Sequence, residues 1–79
     1  MTREDLEDIV FQAVASYGGS ATLIEVARYV WDKHEADLRK SGNLFFTWQY
    51  DVRWAAQQLR DAGKFKDSKA VVRGRWEIK

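Results

Sequence analysis

The sequence contains no cysteine and no proline, and it has a single histidine, His34. Without cysteine, neither a disulfide nor a cysteine-based zinc site can stabilise the fold, and no thiol nucleophile is available. One histidine cannot form a metal site by itself. No hydrophobic run approaches the roughly 20 residues of a membrane-spanning helix, and the acidic start, MTREDLEDIV, is unlike a signal peptide. We therefore expect a cytoplasmic protein with no metal, no cofactor and no membrane association.

The residues that are present favour a dense hydrophobic core. Of the 79 residues, 46% are hydrophobic and 14% are aromatic, which is too apolar for a disordered chain. A chain of this size buries only about 60–65% of the surface that it exposes when unfolded, so its core must be tightly packed. No repeat, low-complexity tract or other linker signal is found. The sequence predicts one domain over residues 1–79.

Charge is divided unevenly along the chain, although the net charge is only +1. Residues 1–37 hold three basic and eight acidic side chains, a formal charge of −5. Residues 38–79 hold ten basic and four acidic side chains, a formal charge of +6. A domain polarised in this way can present its basic half to a polyanion such as DNA. A solvated surface of uneven charge would give the same counts, so the positions of the basic residues decide between the two.

Two amphipathic helices are predicted in the first half of the chain. Thr2 begins the first in a start that resembles a capping box, and apolar residues then recur at helical spacing as far as Gly18-Gly19. Phe11 lies off this stripe and is expected to pack against a later segment or a partner. Thr22 begins the second helix in a full capping box, which should run to about residue 33 with a frayed extension through Leu38. Residues 20–22 are expected to be a connector or a stub of strand.

A third helix is predicted to begin at Thr47, after a break over residues 39–46 in which Phe45 and Phe46 are expected to fill the core. Its buried stripe has helical spacing and comprises Trp48, Val52, Ala55, Ala56, Leu59 and Ala62. Its opposite side carries polar residues, namely Tyr50, Arg53, Gln57 and Asp61, flanked by Gln49 and Arg60. Trp54 lies off the buried stripe, and a later strand is expected to cover it.

After Gly63 the pattern changes to that of a β-hairpin. Residues 64–66 alternate as a strand does, residues 67–69 form the turn, and residues 70–72 with 76–78 form the return. Three helices followed by a terminal hairpin predict an α+β fold, a winged helix-turn-helix with three helices and a C-terminal β-hairpin wing. In that architecture the third helix lies in the major groove of DNA.

Several segments of this sequence resemble the N-terminal winged-helix domain of Mrr-type restriction endonucleases. They are Leu38 with Ser41-Gly42, Val52-Arg53-Trp54-Ala55, Leu59, Ala62-Gly63, and Arg73-Gly74-Arg75-Trp76-Glu77-Ile78. Those domains have a similar Leu-x-Ser-Gly, then Arg-Val-x-Trp-Ala, Ala-Gly and Arg-Gly-x-Trp-x-Ile. The resemblance covers about residues 4–78 and implies a winged helix that docks DNA, with cleavage assigned to a separate nuclease domain.

The chain departs from the pattern of that family at three places. Leu38 stands one residue further from Ser41-Gly42 than in the family. Asp51 replaces the arginine that precedes Val, and an acidic side chain on the third helix repels phosphate. Lys64 and Phe65 stand where the family usually has a pair of leucines, so this strand is more basic here.

The candidate DNA-contacting residues follow from the third helix and the wing. On the helix they are Gln49, Tyr50, Arg53, Gln57 and Arg60. On the wing they are Lys66, Lys69, Arg73 and Arg75. Arg53, Gln49 and Gln57 are suited to base edges, whereas Arg60 and the wing residues are suited to phosphates, which fix the register without reading sequence.

No catalytic constellation is found in the sequence. The serines have only His34 as a potential base, and none lies in a nucleophile elbow. The Glu-x-Lys of Glu77-Ile78-Lys79 lacks the preceding carboxylate strand of a nuclease site, so we interpret it as chance. We expect a binding protein that is not an enzyme and has no small-molecule substrate.

A protein-interaction winged helix is the alternative. In that case the basic residues serve solubility, and the partner is a protein or a second copy of the chain. Phe11, Tyr29 and the pair Phe45-Phe46 are the apolar residues that would line such an interface.

Overall fold

Three helices pack around one hydrophobic core, and a small antiparallel sheet closes one side of it. The computed structural model describes all residues, Met1–Lys79. The elements are helices α1 (Asp5–Ser16), α2 (Leu23–Arg39) and α3 (Leu44–Asp61), strands β1 (Ser20–Thr22) and β2 (Arg75–Glu77), and one turn of 3-10 helix (Ser68–Ala70). The predicted α+β layout of a winged helix-turn-helix, with three helices and an antiparallel hairpin after them, is confirmed.

The core is entirely apolar. Sixteen hydrophobic residues form one buried cluster, and no polar or charged residue is buried with them. Each helix contributes the stripe that its spacing predicts, except that Ala62, which was expected to be buried, is exposed just past the end of α3. The fully enclosed side chains include Leu6, Val10 and Val14 of α1, Val26, Val30 and Leu38 of α2, and Val52 of α3. Hydrophobic burial, at about 25 cal/mol per Å² of apolar surface, is therefore the main force that holds α3 in place.

The wing is a hairpin whose second arm also pairs with β1. Phe65 lies opposite Ile78 in an antiparallel bridge. On either side of this bridge the backbone N–H of Lys66 donates to the carbonyl of Glu77 (2.9 Å), and that of Lys79 donates to the carbonyl of Lys64 (3.0 Å). Strand β2, which precedes Ile78 in the second arm, pairs with β1 in the register Ser20↔Glu77, Ala21↔Trp76 and Thr22↔Arg75. The stub of strand at residues 20–22 is thus part of the sheet.

The prediction that residues 70–72 begin the return strand is wrong. The Asp67 carboxylate accepts a hydrogen bond from the backbone N–H of Lys69 (2.9 Å), which starts the 3-10 turn at Ser68–Ala70. The arms of the hairpin are consequently residues 64–66 and 75–79, and residues 67–74 form a long loop between them. Val72, which was expected to lie in the strand, is 69% exposed in this loop.

Helix α3 begins one turn earlier than predicted, at Leu44 instead of after Thr47. Leu44 is 7% exposed and stands four residues before Trp48, so the buried stripe extends back by one turn. The Thr47 hydroxyl does not cap the helix and donates instead to the Asp51 carboxylate (2.8 Å). The prediction that Phe46 fills the core is wrong, since Phe46 is 81% exposed. Because the helix starts at Leu44, Phe46 lies about 160° around it from Leu44, which is on the buried side. Phe45 is half-buried.

The other two helices also differ at their ends. The backbone N–H of Thr2 donates to the Asp5 carboxylate (2.8 Å), and α1 begins only at Asp5. Helix α2 continues beyond the predicted end to Arg39. His34 has non-helical angles (φ −130°, ψ 16°) inside it. Leu38, in the last turn of α2, is fully buried instead of frayed.

The capping box of α2 gives a prediction about stability. The Thr22 hydroxyl accepts from the backbone N–H of Glu25 (3.2 Å), and the Glu25 carboxylate accepts from the backbone N–H of Thr22 (2.9 Å). Replacing Thr22 with alanine should lower the free energy of unfolding by about 1 kcal/mol, which for a domain of this size is about 4–8 °C in Tm. Thermal unfolding followed by circular dichroism measures the loss, and an unchanged Tm would contradict it.

The same box makes part of the stability depend on pH. The backbone hydrogen bond from Thr22 lowers the pKa of Glu25 from its ordinary value of 4.5, and the Thr22 side chain and the Arg75 charge act in the same direction. Because the folded state favours the ionised carboxylate, this contribution is present above the unfolded pKa and is lost as pH falls through the lower folded value. A Glu25→Gln variant should lack this acid-dependent component, whereas Thr22→Ala should retain most of it, because the backbone donor remains.

Candidate nucleic-acid interface

The side of α3 that faces away from the core carries a row of exposed residues. Phe46, Tyr50, Arg53 and Gln57 stand at i, i+4, i+7 and i+11, so they share one side of the helix, which we call the α3 outer face. Phe46 is 81% and Tyr50 77% exposed. Two aromatic rings, a guanidinium and an amide are therefore offered to solvent by a helix whose opposite side is fixed in the core.

Two more of the predicted helix residues flank this face. Gln49 is exposed and lines a surface cavity of about 320 Å³ together with Leu23, Tyr50 and Arg53. Arg60 is half-buried and lines a polar cavity of about 280 Å³ with Gln57, Asp67 and Ser68. The first cavity joins α3 to α2, and the second joins α3 to the wing loop. The structure thus brings all five predicted helix residues together on one surface that reaches the wing.

The four predicted wing residues divide into two pairs. Lys69 and Arg73 are exposed and make no ion pair. The Lys66 ammonium lies 3.2 Å from the Glu77 carboxylate across the hairpin. The Arg75 guanidinium donates from Nε to the Ser20 hydroxyl (3.0 Å) and lies 4.0 Å from the Glu25 carboxylate. Arg75 therefore ties β2 to β1 and to the start of α2, while Lys69 and Arg73 keep their charges free.

Asp51 does not lie on the α3 outer face. It stands two residues before Arg53, which places it about 160° away around the helix. It is half-buried, and its carboxylate accepts the Thr47 hydroxyl. Asp61, four residues after Gln57, continues the row; it is exposed, and its carboxylate accepts a hydrogen bond from the Gln57 amide (3.0 Å). The Asp51 carboxylate, which the sequence predicted would repel phosphate, therefore points away from the α3 outer face.

Two residues of this surface were missed by the sequence reasoning. Phe46 was assigned to the core, and Arg28 was counted only with the acidic half of the chain. Arg28 is exposed and, with Gln49, lines an apolar cavity of about 590 Å³ between α2 and α3. The sequence carries a signal for Arg28, because Arg28 stands four residues after Ile24 and both fall on the side of α2 away from the buried stripe. In the structure Ile24 is 71% exposed.

The aromatic residues off the helical stripes find partners within the domain. Phe11 stacks on Phe65 with 6.1 Å between ring centroids and 17° between planes, which confirms packing against a later segment. Trp31 and Trp48 stack at 5.8 Å and join α2 to α3. Trp54 is half-buried, and the Arg3 guanidinium lies over its ring, with Cζ 3.7 Å from the ring centroid.

None of the helices combines the length and hydropathy of a membrane-spanning segment. No group of three or more histidine, aspartate or glutamate side chains is placed to hold a metal ion. The Glu77 carboxylate of the Glu-x-Lys motif is paired with Lys66. The exposed basic surface around α3 is accordingly the candidate site.

Comparisons with protein-family models, with curated proteins and with solved structures give no match for this chain. The resemblance to the Mrr-type N-terminal domain stays a prediction that rests on the residues quoted above.

Proposed function

We propose that this domain binds duplex DNA, with α3 in the major groove and the wing loop against the backbone. The observation that carries the proposal is the set of unpaired cations around the α3 outer face. Arg53, Arg60, Lys69 and Arg73 lie on or beside this face, and none of them makes an ion pair. Charges left unpaired on one surface favour a polyanionic partner.

The proposal divides the residues by the DNA groups that they would contact. Arg53 and Gln57, at the centre of the row, are suited to base edges, since guanidinium and amide groups make bidentate hydrogen bonds to guanine and adenine. Arg60, Lys69 and Arg73 lie toward or on the wing and are suited to phosphates. Lys66 and Arg75, already paired within the sheet, would contact DNA only as secondary phosphate ligands. The function is binding without catalysis, and the compartment that we propose is the cytoplasm.

The resemblance to the DNA-docking domain of Mrr-type endonucleases supports this proposal. The shared Trp54 and Trp76 lie half-buried against the core. They therefore support the fold, and the DNA contacts fall to the polar residues beside them. A stand-alone regulator and the targeting module of a restriction system would both use this surface.

The salt dependence of duplex binding tests the proposal. If four to six phosphates are neutralised, the logarithm of the association constant should fall with the logarithm of salt concentration at a slope of about −4 to −5. Fluorescence anisotropy with a labelled mixed-sequence duplex measures this slope. The Lys69→Ala, Arg73→Ala double variant should bind every sequence more weakly and shift the slope by about 2 toward zero. Absent binding at low salt, or binding independent of salt, would overturn the proposal.

An interface with another protein, or with a second copy of the chain, is favoured by one observation. Ile24, Phe46 and Tyr50 are 71%, 81% and 77% exposed, and an apolar cavity of about 590 Å³ opens beside Ile24. Exposed large apolar side chains next to an apolar cavity are typical of protein interfaces. The apolar patch envisaged from the sequence would have a different composition, because Phe11 is stacked on Phe65. Sedimentation showing a tight dimer that duplex DNA does not disturb would favour this second function.

A further inference from the structure

Arg3 lies over an aromatic ring of α3 although the sequence places it in the acidic half of the chain. Its guanidinium carbon is 3.7 Å from the centroid of the Trp54 ring. Arg3 itself is exposed, and Trp54 beneath it is half-buried. The contact is a cation–π pair that joins the segment before α1 to the middle of α3.

The N–H groups of the Arg3 guanidinium have no partner within the protein. None of the three ion pairs and none of the side-chain hydrogen bonds involves this guanidinium. The nearby Asp5 carboxylate accepts the backbone N–H of Thr2 instead. Asp51, three residues before Trp54 on α3, accepts the Thr47 hydroxyl. Stacking therefore occupies one face of the guanidinium and leaves its edge free.

A stacked guanidinium is well prepared to bind phosphate. Its five N–H donors point outward in the plane of the group, in a fork that matches two phosphate oxygens. The ring fixes this plane before the ligand arrives, so less side-chain freedom is lost on binding than from a free arginine. A lysine in the same place would carry the charge but not the flat, stacked geometry.

The Arg3–Trp54 pair lies at one edge of the α3 outer face. Trp54 stands four residues after Tyr50 and three before Gln57, so it borders that face along its length. Tyr50, Arg53, Trp54 and Gln57 together line a surface cavity of about 330 Å³. Leu23, Ile24 and Ala27 of α2 meet the other edge of the face, near Gln49 and Arg53. Arg3 thus supplies a cation at the edge of the face opposite to the one that α2 meets.

We infer that Arg3, held flat on Trp54, is a phosphate-binding residue that clamps the DNA backbone beside α3. The inference rests on the proposed DNA-binding function and adds a contact from the start of the chain to those of α3 and the wing. It also gives Trp54 a role in binding through Arg3, as a positioning residue that does not touch DNA.

The test compares Arg3→Ala and Arg3→Lys with the unchanged protein, using anisotropy of a labelled mixed-sequence duplex over a range of salt. Arg3→Ala should weaken binding to all sequences alike and shift the salt slope by about 0.9 toward zero. Arg3→Lys should keep the slope, because the charge remains, but bind more weakly than arginine. Arg39→Ala is the matched control, since that guanidinium is already paired with Glu35 at 2.9 Å. It should leave the slope unchanged.

Two further measurements separate binding from folding. Thermal unfolding of each variant sets a temperature at which all are folded, and affinities are compared there. The side-chain Nε–H resonance of Arg3, identified by its loss in Arg3→Lys, should shift when duplex is added. If the protein binds duplex but Arg3→Ala has the normal slope, or Arg3→Lys the full affinity, the stacked clamp is wrong and the proposed function stands. If the unchanged protein does not bind duplex, both fail.

Discussion

Replacing Phe65 with alanine should cost about 3–5 kcal/mol of the free energy of unfolding, the usual cost of deleting a buried phenylalanine. Phe65 is 2% exposed, and its ring stacks on Phe11. It is also the residue through which the first arm of the hairpin pairs with Ile78. This one substitution should therefore weaken two things: the packing of α1 against the wing, and the pairing of the two arms of the hairpin.

The loss is large relative to the stability of a domain of this size. At about 0.05–0.15 kcal/mol per residue, a chain of this length has a total of about 4–12 kcal/mol. We expect Phe65→Ala to be partly or fully unfolded at 37 °C, as measured by urea denaturation monitored through tryptophan fluorescence. Phe46→Ala is the matched control, because the same side chain is deleted where it is 81% exposed. It should change stability by less than about 0.5 kcal/mol, and equal effects of the two variants would contradict the burial of Phe65.

Replacing Arg53 with alanine should produce the largest single loss of DNA affinity. Arg53 is exposed in the middle of the α3 outer face, it has no acidic partner, and its neighbours in the row are Tyr50 and Gln57. A bidentate contact between arginine and guanine contributes about 1–3 kcal/mol of discrimination against other bases. At about 1.4 kcal/mol per tenfold change, the expected loss on the preferred site is about 5- to 150-fold.

The pattern of the loss across sequences identifies the role of Arg53. A duplex selected from a randomised pool gives the preferred site, and affinities are then compared on that site and on an unrelated duplex. A base-edge contact predicts a greater loss on the preferred site than on the unrelated one. An equal loss on both, with a salt slope shifted by about 0.9, would make Arg53 a phosphate ligand instead. Arg39→Ala again serves as the control of equal charge.

The local features were predictable because they depend on residues close together in the chain. The buried stripes of α1, α2 and α3 follow from apolar residues at helical spacing. The capping box of α2 follows from Thr22 and Glu25, three residues apart, and both of its hydrogen bonds are formed. The row of Tyr50, Arg53 and Gln57 was also predictable, since a helix with one buried side must expose the other.

The features that were not predictable depend on residues that meet only in the folded chain. Ser20–Thr22 carries too little sequence pattern to identify its pairing, and it becomes a strand because β2 lies beside it. The exposure of Phe46 depends on Leu44 reaching the core, which moves the start of α3 by one turn. His34 gives no sequence signal for the kink that it makes in α2.

The sequence by itself determined the three helices, their buried sides and the polar side of α3, because short-range spacing controls each of them. Only the tertiary structure decided which charges remain free on that surface. Arg75 and Lys66 are paired with acids from other elements, and Asp51 is turned away. Arg3 belongs to the acidic half of the sequence, but it contacts Trp54 because α1 packs on α3. A charge count along the sequence groups residues that are neighbours in the chain, whereas a binding surface is made of residues that the packing of the elements brings together.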